Sequence, residues 1–144
     1  MNAPTVAVFD TNVLVSGFLA ASGPPGRIVE WLRTGALRAG VDDRIQSEYD
    51  DVLHRPELGL PSYEVDIVLR TILKNAVWAR VNPEQVVRGD LPDLDDGPFL
   101  ECATALGCEL VSGNTRHFPP EVVGDLAVIT PRQFLDKLEG RVGL

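Results

Sequence analysis

The chain has 144 residues, a length that suits one domain, and its 44% hydrophobic content supplies a core without disulfide staples. Its 21 acidic and 13 basic residues leave a formal charge of −8, which excludes a protein that grips nucleic acid by bulk attraction but not one that reaches it through metal ions. No stretch approaches the roughly 18–20 apolar residues that span a bilayer, and no basic segment precedes an apolar one at the start, so the expectation is a cytoplasmic protein with no membrane partner and no signal peptide.

In chain order, Thr5–Phe9 reads as a buried strand that ends at Asp10, and a helix follows from Asn12 to Leu19. Ala20–Gly26 is rich in Gly and Pro and reads as a loop. Arg27–Arg33 reads as a short helix closed by Gly35, and Leu37–Val41 as a second strand. Asp42 or Asp43 is placed to cap a helix running to about Leu53, with Pro56 beyond its end. Pro61-Ser62 opens the clearest helix: Val65, Val68, Leu69, Ile72, Leu73 and Ala76 fall on one face. Val77–Val81 is the third strand candidate, and the polar Asn82–Asp96 segment reads as loop. Pro98–Leu106 reads as helix, Leu110–Ser112 and Leu126–Ile129 as strands, and Pro131–Leu138 as a last helix with Pro in its first turn, followed by a frayed tail. Strands alternating with helices predict a parallel sheet covered on both faces, in a single domain over 1–144 without internal repeat or linker.

Asp10 is the most informative residue. A carboxylate at the carboxyl end of a buried strand stands where open α/β sheets bind ligands, and its burial is costly unless a cation or a proton compensates it. Further acids follow. Ile45, Tyr49, Val52 and Leu53 form a helical stripe whose missing member is Glu48, so a glutamate occupies a place that faces the sheet. Asp93, Asp95 and Asp96 crowd the start of the next helix. One aspartate suffices for an N-cap; three in four positions repel one another in a way that a cation relieves. Ser112, Gly113 and Asn114 end another short strand in small polar residues. Hard oxygen ligands of this kind suit Mg²⁺ or Mn²⁺, and the chemistry they serve best is phosphodiester hydrolysis.

No Cys or His cluster competes with that reading. Cys102 and Cys108 lie in apolar surroundings and read as buried, inert thiols; His54 and His117 are isolated and read as surface or core packing. There is no phosphate-binding GxxxxGK[ST] loop and no GxSxG elbow. A phosphoryl-transfer protein with Asp10 as nucleophile is disfavoured. A haloacid-dehalogenase-like site needs a second Asp where Asn12 stands, and a receiver needs a late lysine in the sheet, whereas Lys74 and Lys137 fall on helices.

The ordered set resembles a PIN-domain nuclease. It comprises Phe9-Asp10-Thr11-Asn12-Val13-Leu14-Val15-Ser16, Glu48-Tyr49-Asp50-Asp51-Val52-Leu53, Asp93-Leu94-Asp95-Asp96-Gly97-Pro98-Phe99, and Val111-Ser112-Gly113-Asn114. Ser22-Gly23-Pro24-Pro25, Arg55-Pro56 and Thr130-Pro131-Arg132-Gln133-Phe134-Leu135 further resemble the subgroup described as toxins of toxin–antitoxin systems. The resemblance implies a three-layer α/β/α sandwich with a five-stranded parallel sheet. It implies Mg²⁺- or Mn²⁺-dependent endoribonuclease activity on an RNA substrate, and often a homodimer neutralised by an antitoxin protein. It carries Asp10, Glu48 and Asp96 onto the acidic positions, with Asp95 and Asp93 as alternatives for the third. Thr11, Asn12 and Ser112 match the small polar residues that support the acids. The fourth acidic position reads Asn114 here, a neutral amide that attracts a second metal less than a carboxylate does. Arg27, Arg55 and Arg116 are candidates for gripping phosphate, since a guanidinium fork suits that group. The alternative is a nuclease-like module that binds RNA or protein without turnover; Asn114 and the acidic charge favour it.

Overall fold

The computed structural model of the chain describes residues 4–82, 91 and 93–142. Strands β1 (Thr5–Phe9), β2 (Leu37–Val41), β3 (Val77–Trp78), β4 (Glu109–Val111) and β5 (Val128–Ile129) form one all-parallel sheet in the order β3-β2-β1-β4-β5. The register pairs Ala7 with Ala39 on one side and with Glu109 on the other, and Phe9 with Val111. The chain leaves β1 in one direction and later crosses back to lay β4 on its other side. That reversal makes the carboxyl ends of β1 and β4 a topological switch point, where a crevice opens.

The helices are α1 (Thr11–Leu19), α2 (Pro24–Thr34), α3 (Asp43–Leu53), α4 (Ser62–Lys74), α5 (Gly97–Leu106), α6 (Pro120–Val123) and α7 (Pro131–Val142). Successive side chains of a strand point to opposite faces, and β1 shows which helices cover which. The Phe9 ring meets Phe134 of α7 edge-on, with centroids 5.6 Å apart. Val8 faces the other way, toward Leu106 of α5. Gly40 of β2 lies between them, because a Cβ there would stand 2.5 Å from Leu106 Cδ1 and 3.0 Å from Val8 Cγ2. Helix α2 packs on α1, α4 and α7, while α5 packs on β1, β2 and β4. The result is the three-layer α/β/α sandwich. Its core is apolar and continuous, with Phe9, Leu14, Ile28, Tyr49, Phe99 and Phe134 fully enclosed. Cys102 is buried as expected, whereas Cys108 is only half-buried; burial pushes the two thiols up to about 12 and about 11.

Strands β1 and β2 have the bounds the sequence predicts, and Asp42 is the cap of α3, its carboxylate accepting from the Ile45 N–H at 3.0 Å. Other bounds differ. Helix α2 starts at Pro24 inside the expected loop, since the first turn of a helix needs no intrahelical N–H and tolerates proline. Strand β3 stops at Trp78, although Ala79 N–H still bonds Val41 O at 2.8 Å. Ser112 lies just past β4, with its N–H still tied to Ile129 O at 3.0 Å. Helix α7 runs past Leu138 to Val142, where a frayed tail was expected; Leu135 and Leu138 seat it in the core, and Lys137 pairs with Glu109. Of the expected loop Asn82–Asp96, positions 83–90 and 92 lie outside the described residues, and Leu94–Asp96 form a 3-10 turn leading into α5.

Candidate metal centre

The site grows from the switch point. Asp10 continues β1 by one residue: its N–H donates to Val111 O at 2.9 Å, which fixes its backbone against β4. It occupies the N-cap place of α1 without capping it. Its Oδ2 instead accepts from Ser112 Oγ at 2.8 Å and from Asn12 Nδ2 at 3.2 Å. Gly113 N–H donates to Asn12 Oδ1 at 3.0 Å and Asn114 N–H to Ser112 Oγ at 3.0 Å, so the turn after β4 is buttoned to the turn after β1. Asp10 and Ser112 are both buried.

Glu48 arrives on α3, between the buried Ile45 and Tyr49. The Tyr49 hydroxyl donates to Phe9 O and so docks α3 on the end of β1. Glu48 itself is half-buried, and its Oε2 accepts a hydrogen bond from Thr11 Oγ1. Asp96 arrives at the start of α5. Like Asp10 it sits at an N-cap position and does not cap; its Oδ2 meets His117 Nδ1 at 2.9 Å. Asp93 Oδ1 accepts from Asp95 N–H at 2.9 Å, a local bond that tightens the turn ahead of α5. Two helix N-termini, those of α1 and α5, thus end among the acids, and their partial positive charge favours carboxylates there.

These acids act on one another. Burial raises the Asp10 carboxyl above its ordinary range, against the lowering effect of the Ser112 bond. Burial also raises Glu48, with Asp10, Asp95 and Asp93 adding repulsion and Thr11 opposing it. Asp96 is pushed up to about 6, first by burial, then by Asp10 and Asp93, with His117 opposing. Asp10 and Asp93 thus act on both Glu48 and Asp96.

Two close groups of ligand atoms stand among the described residues, Asp50 with His54 and Asp66, and one beside these acids. Asp93, Asp96 and His117 each offer a ligand atom, and all three atoms lie within 4.8 Å of one another; Asp10 and Glu48 stand outside that group. The sequence reading missed His117. It lies in the 3-10 turn Thr115–His117, which returns position 117 to the side of Asn114, and the Asn114 side-chain amide meets its Nε2 at 2.8 Å. An Asn-x-x-His step directly after the polar strand end is the signal that would have found it. His54 also has acidic company. It bridges α3 and α4, with Nε2 at 2.7 Å from Asp66 Oδ1 and Nδ1 at 2.6 Å from Asp50 O.

The three arginines separate. Arg27 pairs with Glu139 of α7 at 2.9 Å and lies 5.4 Å over the Trp31 ring. Arg55 pairs with the exposed Asp51 at 3.1 Å. Arg116 is exposed beside His117, with no ion-pair partner among the described residues. A cleft of about 180 Å³ is lined in part by Asn12, Ser16, Pro25, Gly113, Asn114 and Pro131, and by none of the acids. A larger one of about 650 Å³ lies at the amino ends of β1 and β4, away from them.

The donor set fits a divalent cation. It consists of hard carboxylate oxygens with one imidazole nitrogen, and among the described residues no Arg or Lys forms an ion pair with Asp10, Glu48, Asp93 or Asp96. The repulsion that raises these carboxyls is what such an ion neutralises. Among the described residues, no helix is long and apolar enough to cross a membrane.

A family model for the PIN domain matches residues 6–116, most of the chain. A search of curated proteins gives no match. The chain belongs to the PIN domain family, a nuclease family whose members are typically metal-dependent.

Proposed function

We propose that this PIN-domain protein is an endoribonuclease that hydrolyses RNA phosphodiester bonds with Mg²⁺ or Mn²⁺. What supports the reading is that Asp10, at the β1 end of the switch point, acts on both Glu48 and Asp96, and that burial raises all three carboxyls. Asp10, Glu48 and Asp96 would hold the ion, with Asp93 and Asp95 within the same field. When bound, a divalent ion lowers the pKa of the attacking water and offsets the charge of the phosphate. The rest falls to the chain. Ser112 and Asn12 orient the Asp10 carboxylate, and Thr11 orients that of Glu48. Arg116, exposed beside the site, is placed to meet a phosphate of the strand. A bound cation also reconciles the charge of −8 with a polyanionic substrate.

The test is cleavage of labelled RNA and DNA oligonucleotides with Mg²⁺, with Mn²⁺ and with chelator, by wild type and Asp10→Asn. The reading expects RNA cleavage that needs metal and vanishes in the variant. RNA cleavage that persists in chelator, or in Asp10→Asn, overturns it.

The toxin-like segments Ser22–Pro25, Arg55-Pro56 and Thr130–Leu135 support a narrower reading, a homodimeric toxin with a cognate antitoxin. Expression alone then slows growth, and co-expression with the adjacent gene product restores it. Harmless expression of an active ribonuclease removes the toxin role and leaves the chemistry standing. One observation favours a binding module without turnover: the Asn114 amide is engaged with His117 and contributes no charge to the acids. Metal-independent RNA binding without cleavage is its signature.

A further inference from the structure

We propose that His117 is itself a ligand of this metal site through Nδ1, beside Asp93 and Asp96, and that Asn114 holds the far side of its ring, so that the site favours Mn²⁺ over Mg²⁺. The inference rests on the metal-dependent reading above and extends its donor set with His117 and Asp93, through Asp96, the acid common to both.

Three observations carry it. The first is spacing. Ligand atoms of Asp93, Asp96 and His117 all lie within 4.8 Å of one another. Donors around one small divalent ion, each about 2.1 Å from it, stand roughly 3–4.2 Å apart, so modest side-chain rotation closes the group on an ion. The second is the ring's other nitrogen. A metal-ligating histidine donates its second N–H to a carboxylate, a backbone carbonyl or water, which fixes the ring. Here Asn114 Nδ2 stands 2.8 Å from Nε2 and Nδ1 meets Asp96 Oδ2 at 2.9 Å, the arrangement of a ring that carries its proton on Nδ1, so an ion taken up at Nδ1 replaces that proton and calls for the other tautomer. Amide oxygen and nitrogen exchange places by a half-turn of the group. With the oxygen toward the ring, Nε2–H donates to Asn114 Oδ1 and leaves the Nδ1 lone pair free, facing Asp96. The third is anchorage. Asn114 N–H is tied to Ser112 Oγ at 3.0 Å, and Ser112 to Asp10 Oδ2 at 2.8 Å. The ring is thereby linked to the deepest carboxylate of the site. Asn114 so acquires a role other than that of a weak fourth ligand. Mg²⁺ takes all-oxygen surroundings, whereas a nitrogen donor shifts a carboxylate site toward first-row transition ions.

The experiment is Mn²⁺ titration of the purified full chain followed by electron paramagnetic resonance, with pulsed measurement of nitrogen coupling. Wild type, His117→Ala, His117→Gln and Asn114→Ala are compared, and Mg²⁺ competes in parallel. Bound Mn²⁺ in wild type is expected to show ¹⁴N coupling from an imidazole, lost in both His117 variants. Mn²⁺ affinity is expected to fall at least about tenfold in those variants and about tenfold in Asn114→Ala, with Mg²⁺ affinity much less affected. The nitrogen signal is read on wild type, so misfolding of a variant does not blunt the test. Saturable Mn²⁺ binding without ¹⁴N coupling, or unchanged affinity in a folded His117→Gln, overturns the role of His117 and leaves the nuclease reading intact. Failure of wild type to bind Mn²⁺ or Mg²⁺ at all overturns both.

Discussion

The Thr11 hydroxyl donates to Glu48 Oε2, so the first residue of α1 steadies the acid of α3 across 37 positions of chain. The bond opposes the burial and repulsion that raise Glu48. Thr11→Val keeps the shape and removes the donor. A hydrogen bond to a charged group contributes about 1.5–3 kcal/mol, and at neutral pH the variant is expected to lose an amount near the low end, since Glu48 is only half-buried. A double-mutant cycle with Glu48→Gln, read by urea denaturation, measures the coupling. A coupling near zero means that the bond does not form in solution.

Asp10→Asn is expected to remove most of the metal's effect on stability. A ligand at 100 times its Kd stabilises the folded state by about 2.7 kcal/mol, and the native site binds an ion that the unfolded chain does not. Thermal melts of wild type and variant with Mn²⁺ and with chelator give the comparison. Equal stabilisation of both proteins places the ion elsewhere.

Glu48 separates chemistry from folding. Glu48→Gln is expected to keep the fold and lose cleavage. Glu48→Leu is expected to match or exceed the metal-free wild type in stability, because it removes a partly buried charge from an apolar stripe. Full Mn²⁺-dependent cleavage by Glu48→Gln would refute the assignment.

The pH dependence follows from Asp96, pushed up to about 6 from an ordinary 3.8. A raised acid contributes stability that is fully present below the unfolded value and is lost as pH rises through the folded one. The metal-free protein is therefore expected to lose stability from this group between about pH 4 and pH 7, by about 2–3 kcal/mol. Asp96→Asn lacks that slope. Metal affinity runs the other way and weakens as pH falls below about 6, since proton and cation compete for the same oxygens. Denaturation curves at pH 5 and pH 7.5, with chelator and with Mn²⁺, show both trends; parallel curves for wild type and Asp96→Asn would contradict them.

The sequence made the sheet legible where burial is two-sided. Thr5–Phe9 is apolar after its first residue and Leu37–Val41 is interrupted only by Arg38, whose guanidinium reaches Asn75 O at 2.8 Å, and the structure gives both strands those bounds. Glu48 was legible because it interrupts a helical stripe. Asp10 was legible because a charge at the end of such a strand needs a reason. Asp96 was only one of three neighbouring acids, and what distinguishes it, burial beside His117, comes from a segment 21 positions later. His117 was marked only by the Asn-x-x-His step after β4, and its acidic partner was hidden for a related cause. A 3-10 turn carries no hydrophobic period, and the partners of this histidine are polar groups that only folding assembles. Arg27 misled in the same way: a cation free in sequence is bound in space to Glu139, on a helix that comes last in the chain.

The bond from Ser112 to Asp10 spans 102 positions, and every element from α1 to α5 lies between them. During synthesis Asp10, Glu48 and Asp96 all emerge before β4 does. A nascent chain stopped at Gly107 would own these acids yet lack the strand and turn that buckle Asp10 in place. The cost of closing so long a loop grows only logarithmically with its length, but it falls on the step that completes the site. The placing of the Asp10 carboxylate is thereby tied to a finished β1–β4 pairing, and an incomplete chain holds the acids without the bond that orients the deepest of them.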